Sequence, residues 1–161
     1  MHRLNPEHFA RLLPLMNQAP FFRLLNMKVV ELGWARAVVE MELADKHLNP
    51  FGGVHGGSYT SAIDTAAYWS AYCQMDSQAS FVTVDLHVDL LGTAKQGKVT
   101  VLGGCLKMGR SLCLTEATVT DSQDRIIAHG NSKMMAVPGT NSISSLVSAM
   151  GGENLPPKFL D

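Results

Sequence analysis

Two hydrophobic periods run along the chain. From Pro6 to Met16, Phe9, Leu12, Leu13 and Met16 recur at helical spacing, which predicts a short amphipathic helix closed by Pro20. From Met27 the period drops to two. Ala35, Ala37, Val39, Met41 and Leu43 alternate with Arg36, Val38, Glu40 and Glu42, a half-buried strand expected to pair with Met27 to Leu32 across a Gly33-Trp34 turn. The stretch from Gly56 to about Met75 has helical length. Its alanines are mixed on all sides with Ile63, Tyr68, Trp69 and Tyr72, so the helix is expected to be buried on most faces. After Ser80 the alternation returns, with Val82, Val84, Leu86, Val88 and Leu90 set against Phe81, Thr83, Asp85, His87 and Asp89. Gln96-Gly97, Gly109-Arg110 and Asp121 to Asp124 then separate three more strands, Lys98 to Met108, Ser111 to Thr120 and Arg125 to Val137, in a meander of antiparallel neighbours. Gly103-Gly104 predicts a bulge or bend inside one of them. Two strands, one buried helix and four further strands make an α+β layer, a curved antiparallel sheet around a single long helix.

The chemistry concentrates where the first strands give way to the helix, in His47-Leu-Asn-Pro-Phe-Gly-Gly-Val-His-Gly-Gly-Ser-Tyr-Thr-Ser-Ala-Ile-Asp64. Gly56 and Gly57 let a ligand carbonyl approach N–H groups that the first helical turn leaves unpartnered, at the positive end of the helix dipole. Donors so placed stabilise an oxyanion. Asp64 is a lone carboxylate among Ala62, Ile63, Ala66 and Ala67, and burying such a group without a partner costs several kcal/mol. It therefore reads as catalytic rather than as an exposed helix position. Eight residues of helix separate Gly56 from Asp64 by about 12 Å, so one helix cannot aim both at one carbonyl. A second, antiparallel copy can, and the spacing argues for a dimeric site. His55 reads as a residue that positions the loop. The four glycines do not fit a dinucleotide fingerprint, because Val54 stands where its second glycine belongs.

This segment resembles the histidine-glycine-glycine motif of the hotdog-fold thioesterases, specifically the PaaI-like acyl-CoA thioesterase group, in which a carboxylate follows the motif histidine by nine residues, as Asp64 follows His55. The run from Thr83 to Gly97 is similar to the family's next strand and turn, and Gly109-Arg110-Ser111 to its later corner, so the likeness covers roughly Phe21 to Val137. The resemblance implies a hotdog fold, hydrolysis of an acyl-CoA thioester to acid and free coenzyme, and a homodimer at minimum with dimers pairing into a homotetramer. It also implies that Asn49 orients the thioester or water, an alternative to an ordinary Asn-Pro turn, and that the Thr83 hydroxyl helps hold water, an alternative to a surface β-branched residue. Gly92 stands where the family commonly has an arginine or other polar residue, which puts one coenzyme contact in question. Arg110, Lys107 and Lys133 are candidates for the coenzyme phosphates, since charge-assisted bonds to phosphate need Lys or Arg beside a turn. Trp69, Tyr68, Phe51 or Phe81 would line an acyl tail entering between subunits. Two other readings use the same cleft: a hotdog enoyl or hydroxyacyl thioester hydratase-dehydratase, and a non-catalytic acyl-CoA binding module.

Composition narrows the partners. The 161 residues carry 46% apolar side chains and a formal net charge of -1, enough for one core and too little field for nucleic acid. The expected organisation is a helical extension over 1–20, the hotdog domain over 21–138, and a peripheral or partly disordered tail over 139–161 in which 143–150 can form a short helix. Cys73, Cys105 and Cys113 lack Cys-x-x-Cys spacing, and no stretch suits export or a membrane span, so a cytoplasmic protein is expected. His47, His87 and His129 show no metal-ligand spacing, and neither a metal nor a cofactor beyond the substrate's own coenzyme A is expected.

Overall fold

The structure is a computed structural model and describes residues 3–75, 79–138, 143–150 and 154–160. It opens with a two-residue strand, β1 (Arg3–Leu4), and two helices, α1 (Pro6–Met16) and α2 (Pro20–Leu24). Asn5 caps α1 by accepting the Glu7 N–H, and the helix buries His8, Phe9, Leu12 and Met16 on one face. α1 ends before Pro20, and Pro20 also opens α2 at a first-turn position, where a missing N–H is not needed.

The hairpin follows as β2 (Met27–Gly33) and β3 (Arg36–Glu42). Its turn is shifted by one residue from the expected place. Ala35 has φ 56° and belongs to the turn with Trp34, not to the strand. Beyond a single 3-10 turn at Asp45–His47 comes the long helix α3 (Gly56–Tyr72). Then come β4 (Ala79–Leu90), β5 (Lys98–Met108), β6 (Leu112–Thr120), β7 (Ile126–Pro138), α4 (Ile143–Ala149) and β8 (Phe159–Leu160). The main sheet is antiparallel throughout, with order β2-β3-β5-β6-β7-β4. All six strands contact α3, which is the hotdog arrangement expected. The meander holds for β5, β6 and β7. β4, however, lies beyond β7 at the far edge rather than beside β5, because residues 91–97 cross back to the other side of the sheet, where Gly97 O accepts the Leu43 N–H.

Two irregularities place side chains that strict alternation would misplace. In β4 the pairing slips between Thr83↔Met134 and Asp85↔Lys133, which leaves Val84 as a bulge. Because strand side chains alternate, one extra residue reverses the face. Phe81 and Thr83 point to the helix before the bulge, and Leu86, Val88 and Leu90 do so after it. The expected single apolar face of Val82, Val84, Leu86, Val88 and Leu90 is thus split, with Val82 and Val84 exposed. In β5, Gly103-Gly104 is no bulge, since Ala37↔Gly103 and Arg36↔Gly104 keep register; the slip is at Leu106, between Cys105 and Lys107. Gly103 serves instead as the place where α3 comes closest to the sheet, and a Cβ there would lie 2.2 Å from Ala66 O.

The termini meet at the far end of α3. β1 pairs with β8, and Lys158, only 3% exposed, donates from Nζ to Tyr72 O at 3.0 Å and sits 4.1 Å from the Tyr72 ring centroid. His8 Nδ1 lies 2.7 Å from Pro156 O and must carry the proton, so Nε2 accepts the Tyr72 hydroxyl at 2.8 Å. Parts of the expected tail, 139–142, 151–153 and 161, lie outside the described residues.

Burial, with Lys158 adding to it, depresses the His8 pKa below its ordinary value. A depressed pKa means that the unfolded chain binds the proton first, so this contribution to stability is complete above about pH 6.5 and is lost as pH falls below it. The melting temperature of the wild type is therefore expected to fall more between about pH 7.5 and 5.5 than that of His8→Asn, which keeps a donor for Pro156 without a titrating ring. Equal slopes for the two proteins would refute this account of His8.

Candidate active site

Residues 47–57 form a closed loop that delivers the helix start. His55 N–H donates to His47 O at 2.7 Å, and Leu48 and Val54 form an isolated antiparallel bridge. Inside the loop the Asn49 carboxamide oxygen accepts N–H groups of Phe51 (2.9 Å) and Gly53 (3.3 Å), and Gly52 takes φ 78°, a conformation that favours glycine. Asn49 is thus a loop-building residue through its oxygen. His55 is the N-cap of α3, and its Nδ1 accepts the Gly57 N–H at 2.9 Å. That contact fixes the tautomer, with the proton on Nε2. It also divides the two glycines. The Gly57 donor is engaged by His55, whereas the Gly56 N–H has no acceptor among the described residues. A Cβ on Gly56 would stand 2.4 Å from a Leu90 methyl, so the absent side chain leaves room for the inward end of β4.

Asp64 lies on the one stripe of α3 that the sheet does not cover. The half-buried positions Ser61, Asp64, Thr65 and Tyr68 follow one another at helical spacing, while Ala62, Ile63, Ala66 and Ala67 face the core. The carboxylate is therefore half-buried rather than enclosed. Thr83 Oγ1 donates to Asp64 Oδ1 at 2.9 Å, a contact made possible by the bulge at Val84. The bulge turns Thr83, a residue of the polar phase, toward the helix, and its side chain stays exposed there.

Asp64 and Thr83 are together in one protomer; Gly56 is not with them. It begins the same unbroken helix, about 12 Å away along the axis. Along β4, Gly56 adjoins Leu90, Thr83 lies seven residues back, and the Gly109-Arg110 corner reaches the opposite end, where Ser111 O accepts the N–H of Ala136, the partner of Phe81. Of the cations expected to meet phosphate, Arg110 and Lys107 are exposed, whereas Lys133 is ion-paired with Asp85 on the outer face of the sheet and holds that carboxyl below the usual range. Gly92 packs against Ile127. Trp69 and Phe81 are buried within the protomer, Trp69 edge-on to both Tyr68 and Tyr72, so of the expected acyl-lining aromatics only Tyr68 and Phe51 are uncovered.

Three residues of the site carry no signal in the sequence pattern: His47, buried with both ring nitrogens bonded, Leu90, which packs on Gly56, and Tyr59, whose hydroxyl accepts the Ala94 N–H at 3.0 Å. Among the described residues no three His, Cys, Asp or Glu side chains could hold a metal ion, and no described helix is long and apolar enough to cross a membrane. The three cysteines are free, with Cys105 and Cys113 sulfurs 3.5 Å apart. The hydrogen bond between the two sulfurs lowers the Cys105 pKa and raises that of Cys113; burial pushes Cys73 up to about 12. Iodoacetamide at about pH 8 is expected to alkylate Cys105 first, as read by peptide mass mapping. Earlier labelling of Cys73 would contradict this ordering.

Residues 51–128, from the loop tip to the start of β7, match the thioesterase superfamily. Rv1847 of Mycobacterium tuberculosis, named as an esterase, is 31% identical over 124 residues, 75% of this chain and 89% of its own sequence. Its solved structure superposes with a TM-score of 0.72 at 29% identity, covering 76% of this chain and all of the other. Human acyl-coenzyme A thioesterase 13 is 26% identical over 113 residues, 68% of this chain and 80% of its own length. A mutant of thioesterase PA1618 from Pseudomonas aeruginosa shares the fold, with a TM-score of 0.76 and 19% identity over 85% of this chain and 98% of that one. With a relative 31% identical over three quarters of its length, the family match over residues 51–128 and the shared fold, the chain belongs to the thioesterase superfamily and is a hotdog thioester hydrolase.

Proposed function

We propose that the protein hydrolyses an acyl-CoA thioester at a site shared by two protomers, with the Gly56 N–H of one polarising the carbonyl and Asp64 of the other supplying the carboxylate. The observation that carries this reading is the Thr83–Asp64 hydrogen bond on the uncovered stripe of α3, beside the unpaired edge of β4. The β4 edge carries exposed Val82, Val84 and Leu90, and a long apolar edge strand calls for a cover. A second copy related by a two-fold axis supplies that cover and sets the Leu90–Gly56 end of one β4 against the Phe81–Thr83 end of the other.

In the general-base route Asp64 takes a proton from water as its oxygen attacks the carbonyl carbon. The Gly56 N–H holds the oxyanion, and collapse breaks the C–S bond to release the thiolate, which takes up a proton. In the covalent route Asp64 itself attacks the carbonyl carbon, the C–S bond breaks to release the thiolate, which takes up a proton, and water then cleaves the resulting anhydride to the free acid and the Asp64 carboxylate. Thr83 orients the carboxylate in both. Arg110 and Lys107 sit at the sheet end nearest Thr83 and are suited to the coenzyme phosphates, Tyr68 and Phe51 to the acyl group. Coenzyme A enters only as part of the substrate. Exposed Leu102, Leu106, Leu112 and Met135 on the sheet suit a further dimer–dimer contact that makes a tetramer, and three free cysteines suit the cytoplasm.

The test is a thiol-release screen across aromatic, short, medium and long acyl-CoAs. Saturable release with at least one class is the expected result. Loss of enoyl absorbance without thiol release would make the protein a hydratase, and tight binding without turnover would make it a carrier; either outcome rejects the proposal.

A further inference from the structure

We infer that His47 is a positioning residue for the Gly56 N–H, a reading that rests on the oxyanion role proposed above. Its side chain is 1% exposed, yet it is no apolar filler, since both ring nitrogens are in use. Nδ1 accepts the Ala44 N–H at 2.9 Å, so the proton resides on Nε2, which donates to Leu25 O at 2.9 Å. Ala44 O, 3.1 Å from the same Nδ1, is engaged by the His47 backbone N–H at 2.9 Å. The neutral ring thereby ties the residue after α2 to the end of the first hairpin, and its place in space is fixed from two sides.

What it fixes is a backbone carbonyl. His47 O accepts the His55 N–H at 2.7 Å. His55 has φ −65° and ψ 131°, and these angles set the plane of the peptide that carries the Gly56 N–H. The second restraint, the His55 Nδ1 contact to the Gly57 N–H, ties the His55 side chain to the next peptide, so the Gly56 N–H lies between two fixed points. A chain of four hydrogen bonds thus runs from Ala44 and Leu25 through His47 and His55 to the helix start. Residues 48–54 are looped out between its two histidines. An oxyanion donor acts only when aimed at the position that the oxygen occupies in the transition state, so tilting this peptide should lower kcat and leave KM nearly unchanged.

The test compares wild type with His47→Leu, which keeps an apolar volume and loses both ring bonds, and His47→Asn, whose Oδ1 can still accept the Ala44 N–H. Amide exchange at His55 and Gly57 is measured without substrate, and kcat and KM are measured well below each melting temperature. The expected result is faster exchange at both amides in His47→Leu, a kcat lower by about tenfold or more with KM within about twofold, and partial recovery of both in His47→Asn. Unchanged exchange and kcat would overturn the inference, as would a kcat loss that merely follows the unfolded fraction or a rise in KM alone. If the wild type released no thiol from any acyl-CoA, the oxyanion reading would fail, and the exchange comparison would still decide whether His47 holds the peptide.

Discussion

Asp64→Asn is expected to lower thioester hydrolysis by about 10²–10⁴-fold while the protein stays folded. The carboxylate is half-buried on the uncovered stripe of α3, and its partner within the protomer is a hydroxyl, Thr83, at 2.9 Å. An asparagine oxygen can accept that hydrogen bond, and the side-chain volume hardly changes, so neither packing nor the α3–β4 contact should suffer. What disappears is the group that takes a proton or attacks carbon. The measurement is kcat from thiol release, paired with a melting curve. An unchanged melting temperature with residual activity at the background rate is the predicted pair, and near-wild-type turnover would remove Asp64 from the chemistry. Thr83→Val provides the graded companion. It keeps the branched shape, removes the bond to Oδ1, and should lower kcat by less than Asp64→Asn does.

Gly103→Ala is expected to be the most damaging single methyl in the sheet. A Cβ at that position would lie 2.2 Å from Ala66 O and 2.5 Å from Ala66 C, atoms of the α3 backbone that cannot turn aside as a side chain would. Relief requires the helix to lift from β5, which opens the interface with Val99, Val101, Ala117 and Val119, all fully buried. Overpacking of this kind costs about 3 kcal/mol, which lowers the melting temperature by about 6–12 °C. Gly104→Ala is the control. Its Cβ would meet only the Glu116 side chain, at 3.8 Å, and the melting temperature should hardly move. Equal effects at the two glycines would mean that Gly103 is not the contact that seats the helix.

Gly103 also shows where reading a sequence reaches its limit. A glycine pair in a strand suggests a bulge or bend; only packing reveals a helix backbone against one of the two. The elements themselves were legible because burial imposes period two on β3 and β6 and an apolar surface nearly all round on α3. The face of β4 was not, because a bulge has no fixed composition, and Val84 looks like any strand valine. The same slip explains why Thr83 reads as a surface residue and yet stands against Asp64. In the candidate site, residues with distinctive chemistry for their surroundings were legible: a carboxylate amid alanines and a histidine-glycine-glycine run before a helix. His47 was not, because its role lies in a backbone carbonyl eight residues from the one N–H it holds, and a carbonyl carries no signature in sequence. The place of β4 beyond β7 likewise depends on how residues 91–97 cross the sheet, which local pattern does not encode.

The shared site is most directly tested by subunit complementation. Gly56→Pro removes the proposed donor with little other change, since proline suits the first helical position and His55, at φ −65° and ψ 131°, already has the extended conformation required before one. A Cβ at this position meets the flexible end of the Leu90 side chain, which has to move. Each of Gly56→Pro and Asp64→Asn alone disables both sites of a homodimer. In a heterodimer purified through two different tags, one site would have both defects and the other would have neither. Thiol release at about half the wild-type rate per dimer is the predicted result. A heterodimer no more active than its two parents would show that the carboxylate and the amide do not meet across the interface.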